Sequence, residues 1–195
     1  MMKLNKFAQA VHENAVKHGW WDEERTFGEI IALCHSELSE ALEELRTNRP
    51  MMYFVETNGF VVTDMSERKD EKPEGVAIEL ADCIIRVLDY FGKEELDVDA
   101  LMQEAMKAVM CDVPGRIYAA TLGDCISRWH LLLSLAYACW CKASGTHASA
   151  LRMARCVCEI LAWGKVTDGV DFEMILDIKH EYNKTRPYRH GGKAL

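Results

Sequence analysis

Residues 76–91, VAIELADCIIRVLDYF, decide the fold. Val76, Ile78, Leu80, Cys83, Ile84, Ile85, Val87 and Leu88 make this stretch apolar almost all round, and only Glu79, Asp82, Arg86 and Asp89 interrupt it. On a helix those four polar residues, at i, i+3, i+7 and i+10, form one narrow stripe. A helix of this kind is buried in a bundle. The stripe has two readings: it is the one strip of the helix that reaches water, or it faces a polar cavity inside the bundle.

Working outward, helical periodicity dominates. Phe7, Val11 and Ala15 predict an amphipathic helix that stops near Gly19. A long helix is predicted from about Phe27 to Arg46, with Ile30, Cys34, Leu38, Ala41 and Leu45 as its apolar stripe. Residues 51–64, MMYFVETNGFVVTD, contain two β-favouring runs joined by Asn58-Gly59, a hairpin signal. SERKDEKPEG, residues 66–75, predicts a solvated loop. After the helix at 76–91, a fourth begins at Asp97, a plausible cap, and Pro114-Gly115 marks a break. Two apolar helices, about 117–142 and 147–163, pair around Ser144-Gly145, and a last helix starts near Asp171 and ends before Pro187. The expected fold is an all-α antiparallel bundle in one domain, with a small inserted β-hairpin and residues 112–165 as a helical insertion. Gly92, Lys93, Val98, Asp99, Met102 and Lys107 recur 72 residues later, from Gly164 to Lys179. Either a helix is duplicated there, or two helices share a Gly turn and an Asp cap.

The 195 residues suffice for one core. A net charge of -8 argues against nonspecific adhesion to nucleic acid or to anionic membrane, which need a basic surface. The segment from Leu131 to Cys141 is too short to span a bilayer, and the N-terminal residues lack a signal-peptide pattern, so a cytoplasmic protein is expected. Eight cysteines suit that compartment if reduced. Cys139, Cys141, Cys156 and Cys158 sit among apolar residues and are expected to be buried thiols.

Glu37 and Glu40, in CHSELSEALEELR, give the long helix an acidic stripe that continues to Glu44. If the stripe at Glu79 and Asp82 faces it, four carboxylates converge and repel. A divalent cation removes that penalty, and hard oxygen ligands favour Mg²⁺ or Mn²⁺ over zinc. Lys179, Asn183 and Arg186, at i, i+4 and i+7, share a face if the last helix persists that far, with Arg189 and Lys193 following on a tail. They either bind phosphate or complement the helix macrodipole. Trp20 and Trp21 either stack on a nucleobase or plug a helix junction.

The blocks HGWWDEERTFGEIIALCHSELSEALEELR, KPEGVAIELADCIIRVLDYFG and KHEYNKTRPYRHGGK occur in the order found in the MazG-like branch of the all-α nucleoside triphosphate pyrophosphohydrolases, and the chain resembles that family over roughly residues 5–107 and 171–193. The resemblance implies a Glu-x-x-Glu helix packed on a Glu-x-x-Asp helix, with Mg²⁺ held by Glu37, Glu40, Glu79 and Asp82. It implies hydrolysis of a nucleoside or deoxynucleoside triphosphate between the α and β phosphates, for nucleotide-pool control. Glu37 or Glu40 is then the catalytic base, Lys179, Asn183, Arg186 and Arg189 contact substrate, and Trp21 meets the base. Many relatives carry a further Glu immediately before the first pair, where this chain has Ser36, and which group orients the attacking water stays open. The helices at 112–165 lie outside the resemblance. Their apolar excess predicts a homodimer or homotetramer. A non-catalytic helical interaction module is the alternative. A di-iron bundle would need Glu-x-x-His pairs, which the sequence lacks.

Overall fold

Side-chain caps set where several of the helices start, and the burial of one helix sets how they assemble. The computed structural model describes residues 3–56, 59–63, 71–112, 121–142 and 145–192. Helix α1 (Leu4–Lys17) is followed by α2 (Phe27–Arg46), a hairpin of β1 (Phe54–Val55) and β2 (Val61–Val62), then α3 (Val76–Lys93) and α4 (Val98–Asp112). The pair α5 (Leu122–Cys141) and α6 (Thr146–Gly164) comes next, then α7 (Phe172–Thr185) and a kinked turn at Arg189–Gly192. The protein is predominantly helical, as the periodicity predicts.

The start of α2 is fixed by a reciprocal box. Thr26 Oγ1 accepts from the Glu29 amide at 3.2 Å, and the Glu29 carboxylate accepts from the Thr26 amide at 2.7 Å. Two donors that the helix itself cannot satisfy are thereby paired. Thr121 and Asp124 repeat the device at α5. The helix expected from residue 117 therefore begins at Leu122, and the Pro114-Gly115 break lies outside the described residues. Asp97 and Asp171 cap α4 and α7 through the amides of Ala100 and Glu173. These caps are 74 residues apart, not 72, and Met102 is buried where Met174 is exposed. The observed caps are therefore out of register with the sequence echo, which pairs Asp99 with Asp171.

α3 is the central rod. Its Ile78, Leu80, Ile84, Leu88 and Phe91 are fully buried, each stabilising the fold by about 1.5–3 kcal/mol relative to exposure. α1, α2, α6 and α7 pack around it, while α5 lies on α2 and α6 on α4. One apolar cluster, including Phe7, Leu38, Leu88, Leu101, Trp129, Met153 and Ile175, runs through all of them. At Gly92 a Cβ would stand 2.7 Å from both the Ala8 carbonyl oxygen and His12 Cβ. Only glycine lets α1 cross that close.

The hairpin pairs Phe54 with Val62 and Val55 with Val61. Gly59 takes φ +85° in its turn, and Asn58 lies outside the described residues. Tyr53 bridges back to Glu74, and its hydroxyl donates to Glu44 on α2 at 2.9 Å. Glu44 is thus spent on anchoring the hairpin rather than extending the acidic stripe. The described cysteines are free thiols. Cys156 and Cys158 are buried as expected, but Cys139 is only partly buried and Cys141 is exposed. No described helix is long and apolar enough to cross a membrane.

Candidate functional site

α2 and α3 pack along their length, and the polar residues of each meet where the other is polar. The stripe Glu79, Asp82, Arg86 and Asp89 borders a cavity of about 310 Å³ that Glu37 and Glu40 enter from α2. Of the two readings of that stripe, the cavity is the one observed. α7 and the following turn supply the opposite wall with Lys179, His180, Asn183, Arg186 and His190. The α1–α2 connection contributes Trp20 and Arg25.

One carboxylate oxygen from each of Glu37, Glu40 and Glu79 lies within 4.8 Å of the others. Glu37 and Glu79 are nearly buried, whereas Glu40 is exposed at the mouth. Arg86 Nε donates to Glu37 Oε1 at 2.5 Å. Burial nevertheless pushes the Glu37 carboxyl up, with Arg86 opposing the shift. Glu79 has no such relief. Burial first, and then the charge of Asp82, push its carboxyl up to about 8, against the pull of Lys179. Among the described residues no donor reaches Glu79 or Glu40. Asp82, the fourth expected member, is drawn aside by an ion pair of 2.7 Å with Lys179 Nζ. Protonation or a bound cation are the two ways to relieve such crowding.

α7 ends at Thr185, because the residue before Pro187 is disfavoured in the helical region. Arg186 is accordingly extended (φ -72°, ψ 147°) rather than on the helical face expected for it, yet it still lines the cavity. Asn183 Oδ1 is buried in that wall without a partner among the described residues. Lys179 is almost wholly buried, its chain inside and its ammonium on Asp82.

The two tryptophans divide. Trp20 borders the cavity, with the Arg25 guanidinium 5.0 Å from its ring centroid and His190 edge-on at 4.8 Å. Trp21, the residue expected at the base, turns off this cavity. Its Nε1 donates to Asp89 at 2.9 Å, and its ring meets His12 edge-on. His12 Nδ1 also donates to Asp89, at 2.8 Å. Arg189 likewise points away, donating to the Gly19 carbonyl at 3.0 Å and reaching Glu23 at 3.5 Å. It clamps the turn at Arg189–Gly192 against the α1–α2 connection, where Tyr188 covers Gly19 so closely that a Cβ would overlap its ring. Lys193 lies outside the described residues. Ser36 borders the cavity but donates its hydroxyl to the Leu33 carbonyl at 3.1 Å.

Arg25 and His190 were not singled out from the sequence, Arg86 was read only as part of the α3 stripe, and Trp20 was named beside Trp21 but not as the residue at the base. Arg86 carried a legible signal, since it shares the α3 stripe with Glu79 and Asp82. Arg25 and His190 carried none, because they sit in connections where no periodicity assigns a face. No family model, no curated protein and no solved structure matches the chain.

Proposed function

We propose that this chain hydrolyses a nucleoside or deoxynucleoside triphosphate between the α and β phosphates, releasing the monophosphate and pyrophosphate, in the manner of the MazG-like enzymes it resembles. One observation carries the reading: Glu37, Glu40 and Glu79, from two helices, converge within 4.8 Å on a cavity whose far wall is cationic. The donor set is all oxygen, and Glu79 has no partner among the described residues, which fits a hard dication such as Mg²⁺, or Mn²⁺. Bound there, the ion would neutralise phosphate charge and acidify a water molecule.

The chain's own residues do the rest. Glu37, Glu40 and Glu79 would hold the ion, with Asp82 adjacent to them and paired with Lys179. Glu40, exposed and without a partner among the described residues, accepts the proton of the attacking water as general base. Arg86 holds Glu37 in place. Lys179, Asn183 and Arg186 bind the phosphates, which phosphoryl transfer needs more than covalent help. The Asn183 amide can turn to present Nδ2 to a phosphate oxygen. Trp20, which borders the cavity, offers its face to the nucleobase.

The test is incubation with a panel of ribo- and deoxyribonucleoside triphosphates and Mg²⁺, assaying pyrophosphate against orthophosphate. Pyrophosphate release is expected, reduced about 10²–10⁴-fold in Glu40→Gln as for loss of a general base. Orthophosphate as the product would move the cleavage site. No turnover of any nucleotide would leave the non-catalytic module.

A further inference from the structure

His180 is only 6% exposed and borders the cavity, yet its side chain makes no hydrogen bond among the described residues. Buried polar groups are normally bonded, because leaving one unpaired is costly. Burial, and then the Lys184 charge, hold its pKa below the ordinary value, so the ring is uncharged near neutral pH. A neutral imidazole offers one donor and one acceptor. An ionised phosphate oxygen only accepts, and Lys179 and Arg186 already serve it. A hydroxyl both donates and accepts, and it carries no charge.

The helix aims His180 at one part of the cavity. Lys179, on the preceding position of α7, faces the acid cluster and pairs with Asp82 at 2.7 Å. One residue on, the direction has turned about 100° around the axis. His180 accordingly meets Phe7 of α1 edge-on, with ring centroids 5.4 Å apart. The next turn of α1 brings Val11 to the cavity, followed by Asn14 and Ala15. Spacings of three and four keep these residues on one helix face. The Asn14 side chain also makes no hydrogen bond among the described residues; its carbonyl accepts from His18. Val11, Asn14, Ala15 and His180 thus form an uncharged wall in a cavity that elsewhere carries charges of both signs.

We propose that His180 and Asn14 bind the sugar hydroxyls of the nucleotide and select substrates by them. This rests on the nucleotide reading above and deepens it. The phosphates take the acid cluster and its cations, the base takes Trp20 beyond the end of α1, and the uncharged sugar takes the uncharged wall. A site built to bond a hydroxyl rejects the analogue that lacks it, since its own buried groups are then left unpaired.

The full chain with Mg²⁺ is titrated calorimetrically with α,β-methylene analogues of one nucleoside triphosphate, in the ribo, deoxy and dideoxy forms, and with inorganic tripolyphosphate. Analogues that resist cleavage keep binding separate from hydrolysis. Wild-type affinity should fall about tenfold with each hydroxyl removed. His180→Phe keeps a ring against Phe7 and should bind all three sugars alike, at the dideoxy affinity, with tripolyphosphate affinity unchanged. His180→Gln restores a donor and an acceptor and should recover part of the preference. Asn14→Ala should lose the preference for one hydroxyl. Thermal melts show that each variant folds. A wild type that binds the three sugars alike overturns the proposal, and so does a His180→Phe variant that keeps the preference. An equal loss of tripolyphosphate in that variant also overturns it, by placing His180 on the phosphates. No binding of any nucleotide overturns it together with the nucleotide reading. Sugar-selective binding without pyrophosphate release supports it and overturns the hydrolysis alone.

Discussion

Glu79 is where folding and chemistry pull in opposite directions. Its carboxyl is nearly buried, beside Asp82 and within reach of Glu37 and Glu40, with no donor among the described residues. The native state therefore holds the proton up to about pH 8, while an unfolded chain loses it near the ordinary value of 4.5. An acid whose pKa is raised on folding stabilises the native state most below the unfolded value, and that contribution falls as pH climbs towards the folded one. In metal-free buffer the wild type should lose stability between pH 5 and pH 8, by several kcal/mol in the limit of full ionisation. Glu79→Gln should flatten this slope and melt higher than the wild type at pH 8. Adding Mg²⁺ at pH 8 should raise the wild-type melting temperature and shift the variant less, since the ion and the proton compete for one carboxylate. Thermal melts of both proteins over that range, with chelator and with Mg²⁺, check all three. Identical profiles would mean that Glu79 is solvated or paired after all.

At the scale of elements, α3 holds the molecule together because it is buried on nearly every side, and its polar stripe opens towards α2, α7 and, at Asp89, α1 and the α1–α2 connection. What lets α1 complete the enclosure is the missing side chain at Gly92. Gly92→Ala would set a methyl group 2.7 Å from the Ala8 carbonyl oxygen, which is backbone and cannot rotate away. Although alanine is the better helix former by about 1 kcal/mol, overpacking should outweigh this. A net destabilisation of about 1–2 kcal/mol is expected, read from the urea midpoint. A stabilised variant would show that α1 can withdraw at no cost. α1 also carries His12 against Asp89, so a displaced α1 should disturb the support behind the cavity as well.

For the whole molecule, the question is whether the α5–α6 pair is an appendage or part of one cooperative unit. The apolar cluster runs without a break from Phe7 of α1 through Leu88 of α3 to Trp129 of α5 and Met153 of α6. Trp129 meets Trp163 edge-on at 6.1 Å between the two helices of the pair, so tryptophan emission reports on it. A continuous core unfolds as one unit. Thermal unfolding followed by far-UV circular dichroism and by tryptophan fluorescence should therefore give coincident transitions. An earlier fluorescence transition would make the pair a separately melting attachment.

Much of this was legible before any coordinate. The helix positions, the Asp97 and Asp171 caps, the burial of residues 76–91 and the acidic faces of α2 and α3 follow from periodicity and from capping chemistry, both of which act within a few residues of chain. The α5 start was missed only because Thr121 and Asp124, a box with Asp at its third position, were not recognised as a stop for the apolar run before them. What the tertiary structure alone decided is pairing across distance. It joined Asp82 to Lys179, nearly a hundred residues on, and Arg86 to Glu37. It put Trp20 rather than Trp21 at the cavity, and it kept Arg186 there after its helix had ended. Those outcomes depend on how far each helix is rotated about its axis and where it crosses its neighbours. Side-chain volumes over the entire core fix both quantities, and no local stretch of sequence encodes them.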